Sequence, residues 1–188
     1  MSLVVNGVDV VKSAEMVDLV KNNRDMAEFT LRASTRWRDA GSSEITIHRN
    51  YGPKGALSSD EVFAFNSLLP PVWNENETRQ GISACPIEML LMSLSHCLTI
   101  GVTYVAANKG ITIETLKVEV RGDLDLAGFY GLKAKRNGYK NLEIDFFIQS
   151  DLSQLELEAL IEEVKNTSPV LSSLTNQIDD VHCQIRRV

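Results

Sequence analysis

The sequence predicts an α+β protein with mostly antiparallel strands, and three features carry that prediction. Period-two segments gather before and after one long apolar helix. Short turn sequences join neighbouring strands, so they pair as hairpins. The strict strand–helix–strand alternation of a parallel sheet is missing.

Over about 9–23, Val10, Val11, Ala14, Val17, Leu19 and Val20 are interleaved with charges, which predicts an amphipathic helix stopped at Asn22-Asn23. Phe29, Leu31, Ala33, Thr35 and Trp37 then alternate with Thr30, Arg32, Ser34, Arg36 and Arg38, a strand with one apolar and one basic, polar face. Asp39-Ala40-Gly41-Ser42 turns the chain into a second strand over 44–49. Between 51 and 83 the periodicity fails at Gly52-Pro53, Gly55 and Pro70-Pro71. So long an irregular connection is functional or mobile, and it is read as a lid over the site.

The longest apolar run opens with Pro86, favoured in a first helical turn, and stops at Asn108-Lys109-Gly110. No charged residue occurs from Met89 to Ala107, about the length that crosses a bilayer. Ser93, Ser95, His96, Thr99, Gly101 and Thr103 are nevertheless spread around its circumference. The reading is a long buried central helix, covered by its own fold or by a partner subunit, and not a membrane span. A strand follows over 116–121, then a loop with Gly122, Gly128, Gly131 and Gly138, then a strand over 142–148. Ser153 with Glu156 forms a capping box, and Leu157, Leu160, Ile161 and Val164 mark one face of the helix behind it. Val181, Cys183 and Ile185 predict a closing strand with Cys183 in the core. Residues 1–25 are read as an N-terminal helical extension and residues 26–188 as one domain.

Composition narrows the function. A 44% hydrophobic and 23% charged chain buries an ordinary core. A net charge of −6, with Lys and Arg dispersed, argues against nucleic acid and anionic membranes as partners. Three cysteines without a signal-peptide pattern read as a cytoplasmic protein with reduced thiols. Neither CxxC nor HxxxH spacing is present, nor GxGxxG or a P-loop, so no metal and no nucleotide cofactor is expected.

Pro86-Ile87-Glu88-Met89-Leu90-Leu91-Met92-Ser93-Leu94-Ser95-His96-Cys97 resembles the OsmC-family pattern P-x-E-x-L-L-x-x-L-x-x-C. The loop 122–132 with Gly138-Tyr139 is similar to the family's inter-strand loop, and Ser168-Pro169-Val170 with Leu174 to its second motif, C-P-V-x-x-x-L. The likeness runs from about Thr35 to the C-terminus. It implies an OsmC-like fold, antiparallel sheets around the central helix of an intertwined homodimer, with two equivalent sites at the interface. It also implies a peroxiredoxin-like oxidative-stress role. In active members a cysteine on the central helix attacks a hydroperoxide, and a second cysteine in C-P-V resolves the sulfenic acid to a disulfide that an external thiol reduces.

By that resemblance Cys97 holds the nucleophile position, while Ser168 stands where the resolving cysteine should be. The family's carboxylate, ten residues before the nucleophile, falls on Ile87; Glu88 is one residue later, on the far side of the helix from Cys97. The basic partner falls in the first hairpin, where Arg36 and Arg38 are candidates and Arg38 is favoured. Cys85, twelve residues before Cys97, is roughly 18 Å away along a helix, too far for an intrachain disulfide. Two functions compete: a thiol-dependent peroxidase in one-cysteine mode, Cys97 being restored by an external thiol, and a non-catalytic dimer holding a small apolar or acyl ligand in the degenerate pocket; a third reading is thiol sensing, in which Cys85 or Cys97 is modified and the dimer responds.

Overall fold

The computed structural model describes residues 3–39, 42–48, 63–67, 84–132 and 137–187. The elements are β1 (Val4–Val5), β2 (Val8–Asp9), α1 (Val10–Asn22), β3 (Arg32–Asp39), β4 (Ser42–His48) and β5 (Phe63–Ser67). They continue as α2 (Pro86–Asn108), β6 (Thr115–Leu124), β7 (Tyr139–Gln149), α3 (Gln154–Thr167) and α4 (Pro169–Thr175). Two compact units result, Asp9–Leu90 and Leu91–Val188 together with Leu3–Val8.

In the first unit α1 lies where the valine spacing predicts it, and the Asp9 carboxylate caps it by accepting from the Lys12 N–H at 3.2 Å. β3, β4 and β5 form an antiparallel sheet in that order. Its register sets Ala33 opposite Ile47 and Thr35 opposite Ile45, with Phe65 and Phe63 next to them on β5, so apolar positions share one face. Arg36 opposes Glu44 on the other face. β5 corrects the reading of 51–83 as wholly irregular. Phe63-Ala64-Phe65-Asn66 supplies too few alternations to separate a strand of five residues from its surroundings. The rest of that stretch, and with it the lid reading, lies outside the described residues.

The second unit contains the core. β6 and β7 pair antiparallel, with Val118 opposite Phe146 and Val120 opposite Ile144. Their alternating inward residues pack against Leu94, Leu98, Val102, Val105 and Ala106 of α2 and Leu160 and Val164 of α3. The α2 residues recur at helical spacing, so the chain buries one stripe of this helix. It does not bury the rest: Met92 is 56% and Ile100 53% exposed. The described residues of its own chain thus do not surround the helix. By length and composition alone α2 could also cross a bilayer. Three of its hydroxyls bond back within the helix, Thr99 donating to the Ser95 carbonyl, Ser95 to that of Met92 and Thr103 to that of Ile100.

Both ends of α2 follow from local sequence. At the C-terminus Gly110 takes φ +72°, and the Ile111 and Gly110 N–H groups close back onto Ala106 and Ala107 O at 2.9 Å, a Schellman stop. α3 begins with the predicted capping box. There the Ser153 hydroxyl, then its backbone N–H, hold the Glu156 carboxyl below the usual carboxylate range.

The predicted closing strand is not formed. Residues 181–187 carry no strand, Cys183 is exposed rather than in the core, and Ile185 is 99% exposed. Alternation makes a segment fit to pair, but a strand also needs an edge to pair with, and no described residue provides it.

The hairpin β1–β2 was not legible from periodicity, because its strands have two residues each. Asn6-Gly7 forms its tip with positive φ at both residues, the preferred pair for a tight hairpin turn. Asn6 then acts as a clamp: Nδ2 donates to the Ile111 carbonyl at 2.9 Å, and Oδ1 accepts from the Ile113 N–H at 3.0 Å. Asn6→Ala leaves both backbone groups without that partner. It is expected to lower unfolding stability by about 1–3 kcal/mol, measured by urea denaturation.

Candidate active site around Cys97

Cys97 lies on α2 at the flank of the buried stripe, between Leu94 and Leu98, and is partly buried. One turn on, Gly101 marks a close crossing: a Cβ there would come within 2.8 Å of Val164 Cγ1 on α3. Glycine in a helix interior costs about 0.5–1 kcal/mol against alanine, and here it admits the Val164 methyl. Ser168 follows Val164 by one turn of chain, and Cys97 precedes Gly101 by one turn. The same crossing therefore brings the cysteine sulfur and the serine hydroxyl together, with Sγ and Oγ 3.3 Å apart.

Ser168 is 6% exposed and is the N-cap of α4, where its Oγ accepts the Leu171 N–H at 3.2 Å. Pro169 occupies the first helical position, so the missing N–H there costs nothing. Having accepted one N–H, the hydroxyl still has its own proton to direct at Sγ, and it can equally accept from a thiol. Val170, Leu171 and Leu174 pack on the core beside the pair.

The other predicted positions lie elsewhere. The Glu88 carboxylate accepts from the Cys85 N–H at 2.8 Å, closing the start of α2 from its first turn. Nine residues separate it from Cys97, roughly 13 Å along the helix. Cys85 precedes the first helical residue, and α2 runs unbroken between it and Cys97, so the two cysteines stay apart. Arg36 is exposed on β3; the side chain of Arg38 lies outside the described residues. His96 is exposed. Among the described residues no three His, Cys, Asp or Glu side chains converge to hold a metal.

The pair of Cys97 and Ser168 is thus brought together as the motifs imply. The residues that set their approach, Gly101 and Val164, were not singled out from sequence as a contact. The available signal was the glycine four residues after Cys97 in an otherwise well-formed helix.

A model of the OsmC-like protein family matches residues 79–180, just over half of the chain. No curated protein matches significantly. Among solved structures, the chain is similar to the OsmC-like protein of Mycoplasma pneumoniae at 18% identity, covering 78% of this chain and 88% of that one, with a TM-score of 0.57. The organic hydroperoxide resistance protein OsmC of Legionella pneumophila matches at 16% identity over 78% and 90% of the two chains, TM-score 0.51. The organic hydroperoxide resistance protein of Elizabethkingia anophelis matches at 14% over 79% and 89%, TM-score 0.52. At such identities the likeness is one of fold. With the residues of both motifs meeting at one crossing, the chain is an α+β protein of the OsmC fold and belongs to the OsmC-like protein family.

Proposed function

We propose that this protein reduces hydroperoxides in one-cysteine mode, as part of an oxidative-stress defence, with Cys97 as the nucleophile. The observation that carries the reading is the 3.3 Å contact between Cys97 Sγ and Ser168 Oγ. The two hydroperoxide resistance proteins of the same fold support the substrate class. The Cys97 thiolate attacks the distal peroxide oxygen, an S–O bond forms as the O–O bond breaks, and the alcohol leaves with a proton. Serine cannot form a disulfide, so a first external thiol condenses with the sulfenic acid, releasing water and giving a mixed disulfide. A second thiol frees Cys97 and leaves as the oxidised disulfide. Glu88 supports the helix that carries Cys97. Wild type is expected to consume cumene hydroperoxide with a thiol donor, and Cys97→Ala to lose that activity. Equal rates would end the proposal and leave the ligand-binding reading.

The working form in this proposal is a homodimer. α2 presents Met92, Ile100 and Tyr104 outside its own core, more apolar surface on one helix than scattered exposure requires. The helix carries no charge from Met89 to Ala107, so a second copy of the same surface complements it. Light scattering is expected to give twice the chain mass of 20.9 kDa, and Ile100→Lys to shift it toward one chain. A wild-type monomer at micromolar concentration would refute the assembly.

A further inference from the structure

The Ser168 hydroxyl serves two structures at once. It accepts the Leu171 N–H that starts α4, and it faces the Cys97 sulfur. At 6% exposure, solvent is not at hand to replace either bond. α4 has only seven residues, too few to be stable by propensity, so it depends on its cap and on the packing of Val170, Leu171 and Leu174. Past it, residues 181–187 are exposed, so that stretch adds no buried packing to hold the helix from its C-terminal side.

We propose that Ser168 is a redox relay: oxidation of Cys97 by a hydroperoxide draws the Ser168 hydroxyl away from the Leu171 N–H and loosens α4. The relay rests on the peroxide reaction proposed above and adds regulation of the same site. In that reaction the sulfur loses two electrons and gains one oxygen, while the hydroperoxide is reduced to its alcohol. The product is a sulfenate whose anionic oxygen is a stronger acceptor than the thiol sulfur. That oxygen extends past the sulfur's former surface, and the Ser168 hydroxyl was already 3.3 Å from the sulfur. Turning toward it swings Oγ about the Cα–Cβ bond and off the Leu171 N–H. Reduction by an external thiol removes the oxygen and restores the cap. A cysteine at position 168 would consume the sulfenate in a disulfide. The serine leaves it standing and couples it to a helix.

Hydrogen–deuterium exchange on the full chain tests this, following peptides over 168–176 before and after one equivalent of cumene hydroperoxide. Intact mass measures oxygen on Cys97 in the same samples. Oxidation is expected to speed exchange in α4 roughly five-fold, the effect of losing one N-cap, and added thiol to reverse it. Cys97→Ser should abolish the response. Ser168→Ala should exchange fast with or without peroxide, and Ser168→Thr should keep the response. If Cys97 gains oxygen while α4 exchange in the wild type stays unchanged, the relay is refuted and the peroxide reaction stands. If Cys97 gains no oxygen, both are refuted.

Discussion

Replacing Ser168 with cysteine is expected to turn a one-cysteine site into a dithiol site. The partner atom already sits 3.3 Å from Cys97 Sγ, and closing to a disulfide takes a shift of about 1 Å, which χ1 rotations shared between the two residues supply. With one equivalent of hydroperoxide the wild type should accumulate a sulfenate reactive to dimedone, whereas Ser168→Cys should lose both thiols to an internal bond. The resolving step then becomes intramolecular, so turnover with a dithiol donor should rise on the order of 10²-fold. The cost is the α4 cap, since a thiol accepts the Leu171 N–H less well than a hydroxyl; about 1 kcal/mol is at stake. Persistent sulfenate in the variant, with its second thiol still free, would show that the pair does not reach bonding geometry.

The second large effect belongs to stability. Leu98 is fully buried at the centre of the cluster that joins α2 to the β6–β7 hairpin and α3. Leu98→Ala removes three carbons from a site bounded by strands on one side and a helix on the other, where collapse is limited. A loss of about 2–5 kcal/mol is expected in urea or thermal unfolding. Against a usual total of about 5–15 kcal/mol for a domain, that places the variant near its threshold. An effect below about 1 kcal/mol would mean that the core is looser than the buried stripe implies.

What could be read from the sequence depended on whether the signal was local. Pro86 and Gly110 bound α2 because each acts through its own backbone conformation, and the capping box at Ser153 works over three residues. The contact of Cys97 with Ser168 spans 71 positions, and no periodicity encodes it; only the resemblance of both motifs placed them together. Gly101 was counted among residues spread around the helix, since its role needs Val164 opposite it. Val181, Cys183 and Ile185 alternate correctly and still make no strand in one chain, because pairing is a property of two segments. β5 was lost to brevity, although Phe63 and Phe65 fall in register with Ile47 and Ile45.

The Asn6 clamp sets a clock on synthesis. Its partner Ile113 is 107 residues downstream, so at a translation rate of about 5–20 residues per second the hairpin waits on the order of 5–20 s for the backbone it grips. During that interval Val4, Val5 and Val8 emerge with nothing to pair with beyond their own two-residue ladder. This hairpin is therefore made well before the backbone that fastens it.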